Sequence, residues 1–303
     1  MHNHLDRDLV GYGPTPPDAQ WPGGARLAIS FVLNYEEGGE NTVLNGDAGS
    51  ETYLTETPGG TALAGQRDLS TESVYEYGAR AGFWRILRLF QDRGLHFTSW
   101  AVGRALELNP AAGKAMADAG HEVASHGYRW INYKDFTLAQ EREHIARAVK
   151  AIEASAGRRP VGWYTGRFGA DTLRAVVQEG GFLYSSDSYA DDLPYWVRVD
   201  GAPHLILPYT LDVNDMKFSV PPGFGSGEAW LHYMKDAVDV LWAEGARSPK
   251  MMSVGLHCRL AGRPGRAAAL GRFLDYVAGK PDVWVATREQ IARHWMKVLP
   301  APA

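Results

Sequence analysis

The stretch that decides the fold runs from Gly120 to Trp130 and reads GHEVASHGYRW. Its first part, His121 to Ser125, predicts a short buried strand, and His126 follows that strand directly. Gly127 then frees the backbone for a loop that carries a tyrosine, an arginine and a tryptophan. Parallel α/β proteins present their chemistry in this way, at the carboxyl ends of their strands. The alternative is a structural histidine at a strand end, followed by a tryptophan that belongs to the core.

Further strand ends along the chain have the same character, and apolar strands alternate with amphipathic helices about seven times. This alternation predicts a parallel sheet with right-handed crossovers. We therefore expect an α/β fold, a distorted (β/α) barrel of about seven strands, with an open sheet as the alternative. The side chains at the predicted strand ends are Asn34, Glu36 and Glu37 after the first strand, His126 and Trp130 after the central one, and Arg167, Asp187 and His257 after later ones.

No internal repeat and no linker divides the sequence, so we expect a single domain over residues 1–303. Residues 1–24 are rich in proline and glycine and predict an extended N-terminal arm. Residues 38–74 lack periodicity and predict a long inserted loop, which in a compact domain is typically a lid or an assembly element. A helix is expected from Tyr77 to Arg93, where large apolar residues recur at three- and four-residue spacing.

Composition and charge exclude several classes of protein. The formal net charge is −4 and no basic stripe is present, so the sequence lacks the electrostatic signature of nucleic-acid binding. The longest strongly apolar run, Leu27 to Leu33, is too short to span a membrane. The polar N-terminus lacks the apolar centre of a signal peptide, and a single cysteine, Cys258, rules out an internal disulfide. We therefore expect a cytoplasmic protein that binds neither nucleic acid nor membrane.

If the strand-end side chains converge, they supply a carboxylate, two imidazoles and a guanidinium. That set suits the hydrolysis of a carbonyl compound, with a base for water, a donor for the oxyanion and an acid for the leaving nitrogen. The glycine-rich segment from Gly223 to Gly227 lacks the strand–turn–helix context of a phosphate loop. No nucleophile elbow is present, so a serine or cysteine nucleophile is not supported.

Four motifs follow one another in the order found in the polysaccharide deacetylase (NodB-homology) family, which the sequence resembles from Leu27 to Lys297. This resemblance implies the distorted barrel. Within the superfamily the sequence looks most like the allantoinases recruited from it, because of SHGYRWINY at 125–133, the NYEEG turn at 34–38 and the RDLVGYG arm at 7–13. The four motifs are Asn34-Tyr35-Glu36, Ser125 to Trp130, Arg159 to Arg167, and Val254 to His257.

The sequence departs from the deacetylase pattern at the positions that bind the metal. Asn34 stands where deacetylases place the base aspartate, Glu36 replaces the metal-binding aspartate, and Trp130 replaces the second histidine. Only Glu36 and His126 remain, fewer than the three protein ligands of a catalytic zinc. In line with metal-independent allantoinases, we expect no metal and no cofactor, with zinc at Glu36 and His126 as the alternative.

The resemblance implies ring opening of allantoin to allantoate, in purine degradation, by a homotetramer. Glu36 is the expected base, with Glu37 as its rival if the register shifts by one residue. His257 or His126 is the expected acid, and Arg167 is expected to bind a carbonyl oxygen or to orient Glu36. The expected substrate-binding residues are Asn34, Tyr35, Glu37, Trp130 and Asp187.

Three other interpretations remain open at this point. The chain could be a cyclic imide hydrolase, or a metal-dependent deacetylase of N-acetyl sugars or peptidoglycan. It could also be an inactive barrel that binds ureides. The loss of metal ligands favours the inactive barrel, whereas the joint presence of Glu36, His126, Arg167 and His257 favours an enzyme.

Overall fold

A computed structural model of the chain describes residues 1–57 and 61–302. Within these residues, nine strands form one sheet around which the helices pack. The strands are β1 (Leu27–Tyr35), β2 (Phe97–Ala101), β3 (Glu122–Ser125), β4 (Gly162–Trp163), β5 (Tyr184–Ser185), β6 (Tyr195–Val199), β7 (Ala202–Ile206), β8 (Lys250–His257) and β9 (Val283–Val285).

The sheet has the order β6-β7-β5-β4-β3-β2-β1-β8, and β9 pairs with the start of β1. Every ladder is parallel except the one between β6 and β7. The predicted α/β fold is confirmed, and the sheet takes the form of a half-barrel. The antiparallel strand β6 was missing from the predicted parallel sheet, because its five residues form a hairpin with β7 and no helix separates the two.

No strand ladder joins β7 to β8 within the described residues, so the half-barrel is open there and other contacts link its two sides. Thr210 and Ser253 exchange hydrogen bonds: Thr210 N donates to Ser253 Oγ at 2.9 Å, and Ser253 N donates to Thr210 Oγ1 at 3.1 Å. The fully buried Arg288 donates to Leu207 O at 2.6 Å and to Ser30 Oγ at 3.2 Å. These bonds hold the two sides of the gap together where backbone pairing is missing.

The helices cover the outside of the curved sheet. Helix α5 begins with a capping box, in which Thr137 Oγ1 accepts from Gln140 N, and ends at Gly157 in the left-handed conformation. The helices are α1 (Leu69–Tyr77), α2 (Phe83–Gln91), α3 (Gly103–Leu108), α4 (Pro110–Asp118), α5 (Leu138–Ala156), α6 (Thr172–Glu179), α7 (Gly227–Glu244), α8 (Pro264–Ala278) and α9 (Arg288–Val298).

The helix expected from Tyr77 begins eight residues earlier, at Leu69, and a π-helical turn (Gly78–Gly82) joins α1 to α2. Asp68 starts α1 by accepting hydrogen bonds from the backbone N–H groups of Ser70 and Thr71. Few apolar residues mark this helix, which explains why periodicity did not reveal it. The last part of the predicted 38–74 loop, from Leu69 onward, is therefore helical. Residues 58–60 of the same predicted loop lie outside the described part of the chain.

The arm formed by residues 1–24 lies on the β6 edge of the sheet. His4 N donates to Arg198 O at 3.0 Å, and the Tyr12 hydroxyl donates to Pro194 O at 2.6 Å. Trp21 is buried near the other end of the arm, where its ring nitrogen donates to Lys250 O at 2.8 Å. Among the described residues, no helix combines the length and the apolar character needed to cross a membrane.

Candidate active site

Strand β1 sorts its residues between two environments. All nine are buried, and Leu27, Phe31 and Tyr35 pack with the outer helices, whereas Ala28 and Val32 face the opposite core. Successive side chains of a strand point to opposite faces, so the alternation continues beyond its end. Asn34 and Glu36 consequently line a cavity at the carboxyl edge of the sheet.

His126 enters this cavity from the end of β3. Its Nδ1 lies 2.8 Å from the carbonyl oxygen of Tyr164, and its Nε2 lies 3.2 Å from Glu36 Oε1. A carbonyl oxygen can only accept, so Nδ1 carries a hydrogen and Nε2 is the atom directed at the carboxylate. Gly127, with φ of 78°, allows the chain to turn sharply after this histidine.

His257 reaches the same carboxylate from the end of β8. Its Nε2 lies 3.6 Å from Glu36 Oε1, and its Nδ1 lies 2.6 Å from Asp215 Oδ1. Asp215 is fully buried and also accepts hydrogen bonds from the backbone N–H groups of His257 and Ala261. The aspartate therefore fixes the ring orientation of His257 and stabilises its protonated form, as the buried aspartate of a hydrolytic triad does.

Arg259 completes the group around Glu36. Its Nη2 lies 2.7 Å from Glu36 Oε2, and its Nε donates to Leu54 O at 3.0 Å. The guanidinium is fully buried and lies over the rings of Tyr75 and Trp130, at 4.2 and 5.1 Å from their centroids. A buried guanidinium of this kind is always charged, so it places a fixed positive charge beside the carboxylate.

These charges set the protonation states of the cluster. Burial alone would raise the pKa of Glu36, but Arg259, with His257 and His126, holds that pKa well below its usual range. Burial alone would lower the pKa of His257, yet Asp215 and Glu36 raise it to about 9. At neutral pH the cavity therefore holds a carboxylate beside an imidazolium, which is a hydrogen-bond acceptor next to a proton donor.

The cavity has a volume of about 220 Å³, suited to a small molecule. Its floor is the cluster of Glu36, His126 and His257, and its wall combines aromatic, apolar and polar side chains. Trp130, 5% exposed, forms part of that wall. The remaining lining residues are Asn34, Tyr53, Leu54, Tyr164, Thr165, Gly166, Arg167, Tyr189, Leu211, Asn214 and Met216.

Arg167 lines the cavity but does not orient Glu36. Its Nη1 lies 3.0 Å from Glu51 Oε2 and 3.3 Å from Trp130 O, and its guanidinium lies 3.8 Å from the centroid of the Trp130 ring. The expectation that Arg167 orients Glu36 is wrong in this structure, because the buried Arg259 already occupies that place.

Three of the expected substrate-binding residues do not line the cavity. The Tyr35 hydroxyl accepts from Asn109 at 2.8 Å, and Glu37 accepts from the backbone N–H of Glu36 at 2.9 Å. The prediction that Tyr35 and Glu37 lie in the substrate site is wrong in this structure, because both residues fall on the helix-facing side of β1 and its extension. Asp187 accepts from the backbone N–H groups of Thr165 and Gly166 at 2.7 to 3.1 Å, so it holds the loop behind the cavity wall.

The sequence did not reveal three groups of residues that form the site. Arg259 was not among the predicted site residues, although its position two residues after His257 could have placed it beside that histidine. Asp215 lies in a segment rich in proline and glycine, without a pattern that links it to β8. Tyr53 and Leu54 come from the inserted segment and gave no signal of their contact with the cavity.

The donor set does not fit the metal that deacetylases of this superfamily use. In the described residues, no group of three or more histidine, cysteine, aspartate or glutamate side chains is arranged to hold a metal ion. Glu36 Oε2 is already engaged by the Arg259 guanidinium at 2.7 Å, and this fixed positive charge opposes a second cation at the same oxygen. Trp130 offers no ligand atom.

Comparison with known proteins bears on this arrangement. The profile of the polysaccharide deacetylase family matches residues 70–184. A Schizosaccharomyces pombe protein that carries the same family's name is 47% identical over 309 residues, covering 95% of this chain and 96% of the relative. The chain belongs to the polysaccharide deacetylase family. It is a hydrolase of that superfamily.

Two solved structures of this family superpose on nearly the whole chain. One, from Pseudomonas aeruginosa PAO1, is described as a probable polysaccharide deacetylase; it is 55% identical, with a TM-score of 0.95, covering 98% of this chain and 99% of that one. The other is described as Puue allantoinase; it is 54% identical, with the same TM-score and coverage. Family membership thus comes with two different named activities at nearly equal similarity.

Proposed function

We propose that this chain is a cyclic amide hydrolase that opens the hydantoin ring of allantoin to give allantoate, in purine degradation, and that it does so without a metal. The observation that carries the proposal is the buried ion pair between Arg259 and Glu36. It places a guanidinium beside the carboxylate that corresponds to the metal-binding one of the deacetylases. The 54% identity to Puue allantoinase over nearly the whole chain supports the same function.

In the proposed reaction, water adds to a ring carbonyl carbon and the bond from that carbon to the ring nitrogen breaks. Glu36 takes a proton from the attacking water, and His257 Nε2 gives its proton to the departing nitrogen. The product then carries a carboxylate, and the nitrogen becomes the terminal amide of a second ureido group. One water is consumed, and one proton is released when the new acid ionises.

Glu36 is a weak base in the free protein because Arg259 and His257 lower its pKa. Negative charge that develops on the substrate oxygen competes for the positive charge of His257, which lines the cavity. As His257 interacts with the oxyanion, the Glu36 carboxylate becomes more basic, so proton transfer from water is coupled to carbon–oxygen bond formation.

Of the two histidines, His257 is the better acid. Its pKa of about 9, set by Asp215 and Glu36 against the effect of burial, keeps it protonated at neutral pH, where an acid is needed. His126 donates to Tyr164 O through Nδ1, so we assign it to holding Glu36 and the water between them.

The second candidate is a metal-dependent deacetylase of N-acetyl sugars, which the family and the names of its members favour. That reaction needs a metal, but Glu36 Oε2 is engaged by the Arg259 guanidinium, and Trp130 offers no ligand atom. The donor set therefore favours the cyclic amide hydrolase.

The test is an assay of the purified protein with allantoin and with N-acetylated sugar oligomers, each with and without a strong chelator. We expect allantoate to form at the same rate in both conditions. Acetate release that is lost on chelation would support the deacetylase instead, and turnover of neither substrate class would support an inactive barrel.

A further inference from the structure

Arg167 presents an unused edge of its guanidinium in the wall of the cavity. Its Nη1 is held by Glu51 and by Trp130 O. Within residues 1–57 and 61–302, the hydrogen bonds of the Arg167 guanidinium all come from Nη1, which leaves Nε and Nη2 without a protein acceptor, and the side chain is 19% exposed. Because Arg167 lines the cavity, these N–H groups are available to donate to a ligand there.

The position of this edge is fixed before any ligand arrives. The guanidinium lies flat over Trp130, and Glu51 is itself held by Asn41 Nδ2 at 2.7 Å and by the N–H groups of Thr52 and Tyr53. Burial alone would raise the pKa of Glu51, but Arg167 lowers it, so the carboxylate is charged and the pair is intact at neutral pH. A donor held in this way loses little conformational freedom on binding.

The reacting amide does not need this donor. Glu36, His126 and His257 form the cavity floor, and Arg259 lies behind Glu36. None of these four contacts the Arg167 head group through a hydrogen bond or ion pair among the described residues. Arg167 therefore serves a part of the substrate away from the scissile bond. A guanidinium edge matches a planar group with an exposed carbonyl oxygen, such as the urea unit of a ureido substituent.

We propose that Arg167, oriented by Glu51, recognises the ureido substituent of the substrate and so selects ureido-substituted rings over unsubstituted cyclic imides and hydantoins. This assignment rests on the proposed function and makes its substrate class more specific. Arg167 is in this view a specificity residue, and Glu51 is the positioning residue behind it.

The experiment compares Arg167→Met, Arg167→Lys and the unmodified protein, with allantoin as substrate and hydantoin, which lacks the ureido group, as competitive inhibitor. For Arg167→Met we expect a rise of roughly 10- to 100-fold in KM for allantoin, the size of a lost charged hydrogen bond. The kcat should stay within a few-fold, and the inhibition constant of hydantoin within about twofold. Arg167→Lys keeps the charge without the planar edge and should fall between.

Arg266→Met is the matched control. Arg266 also pairs with a glutamate of the inserted segment, since its Nη1 donates to Glu56 at 2.8 Å, but it does not line the cavity. We expect unchanged kinetics for this variant. Thermal unfolding of each variant separates a folding defect from a loss of recognition.

Two results overturn the assignment to Arg167. One is a fall in kcat with unchanged KM, which would place Arg167 at the reacting carbonyl. The other is an equal weakening of allantoin and hydantoin. In both cases allantoin turnover by the unmodified protein would leave the proposed function standing. If the unmodified protein neither opens nor binds allantoin, the proposed function fails and the assignment fails with it.

Discussion

Two arginine–glutamate pairs lie at the cavity, and they differ in which partner faces a ligand: the glutamate in one pair and the arginine in the other. On the floor, Arg259 Nη2 lies 2.7 Å from Glu36 Oε2, and both side chains are at most 1% exposed. In the wall, Arg167 Nη1 lies 3.0 Å from Glu51 Oε2, and the arginine is 19% exposed. Both guanidinium groups lie over the ring of Trp130, at 5.1 and 3.8 Å from its centroid.

The difference lies in which partner is left available. On the floor, positive groups surround a carboxylate, so the pair controls the charge of Glu36 and leaves it facing the cavity. In the wall, N–H donors surround the Glu51 carboxylate, so the pair leaves one edge of Arg167 unused. The inserted segment anchors both, through Leu54 O on Arg259 and through Glu51 on Arg167. An ion pair can thus fix the charge and orientation of either its carboxylate or its guanidinium, and leave that group facing a ligand.

The largest effect is expected on the floor, for Glu36→Gln. Removal of the carboxylate that we propose as the general base should lower kcat for allantoin by roughly two to four orders of magnitude, the usual range for such a base. Steady-state kinetics measures this directly. The matched control is Glu37→Gln: Glu37 is buried on the helix side, and burial with the nearby charge of Glu36 raises its pKa to about 7 despite Arg259. We expect the control to keep kcat within a few-fold, and an equal loss in both variants would remove Glu36 from the role of base.

A smaller but distinct effect is expected on stability. Arg259→Met leaves the buried Glu36 carboxylate without its main counter-charge, which should lower the free energy of unfolding by about 3–5 kcal/mol. Arg167→Met affects a partly exposed pair and should lower it by only about 1 kcal/mol. Urea denaturation of the two variants measures both values. Similar losses for the two would mean that the pairs do not differ in burial and coupling as the structure indicates.

Asp215→Asn should change the pH dependence more than the rate at neutral pH. In the unmodified protein the acid His257 is lost as pH rises through about 9, so kcat/KM should fall on that side. The same raised pKa stabilises the fold fully below the ordinary histidine range, and this contribution is lost as pH rises toward 9. In Asp215→Asn the pKa of His257 should fall, so the decrease of kcat/KM on the alkaline side should occur at lower pH. If kcat/KM of the variant still decreases only near pH 9, His257 is not the acid whose pKa Asp215 sets.

The smallest effect is expected for Glu51→Gln in the wall. The glutamine can still accept a hydrogen bond from Arg167, but the charge that holds the guanidinium is lost, so KM for allantoin should rise about fivefold with little change in kcat. A change in kcat as large as that of Glu36→Gln would show instead that the wall pair takes part in the chemistry.

Strand ends were the part of the site that sequence could predict. Glu36, His126 and His257 converge because the carboxyl ends of parallel strands meet at one edge of a sheet, and apolar strands are visible in a sequence. The side-chain alternation at the end of β1 places Asn34 and Glu36 in the cavity and Tyr35 and Glu37 on the opposite face, so the prediction that all four line the site was wrong for Tyr35 and Glu37.

The rest of the site depends on loops that pack against the strand ends. Asp215 and Glu51 lie in segments without periodicity, and only tertiary contacts bring them to His257 and Arg167. Residues of this kind carry no local pattern that links them to a partner far along the chain. In the fold, the same reason applies to β6 and to α1, whose short or weakly apolar sequences gave no clear period.

The central claim is that buried charges, supplied by Arg259 and Asp215, hold Glu36 ionised and His257 protonated in the absence of a metal. Nuclear magnetic resonance of the protein labelled with ¹⁵N in its histidines tests this most directly, with His257→Gln to assign the signal. The account predicts that both ring nitrogens of His257 stay protonated at neutral pH and titrate near pH 9. A ring that is already neutral at pH 7, or that titrates in the ordinary histidine range, would contradict it.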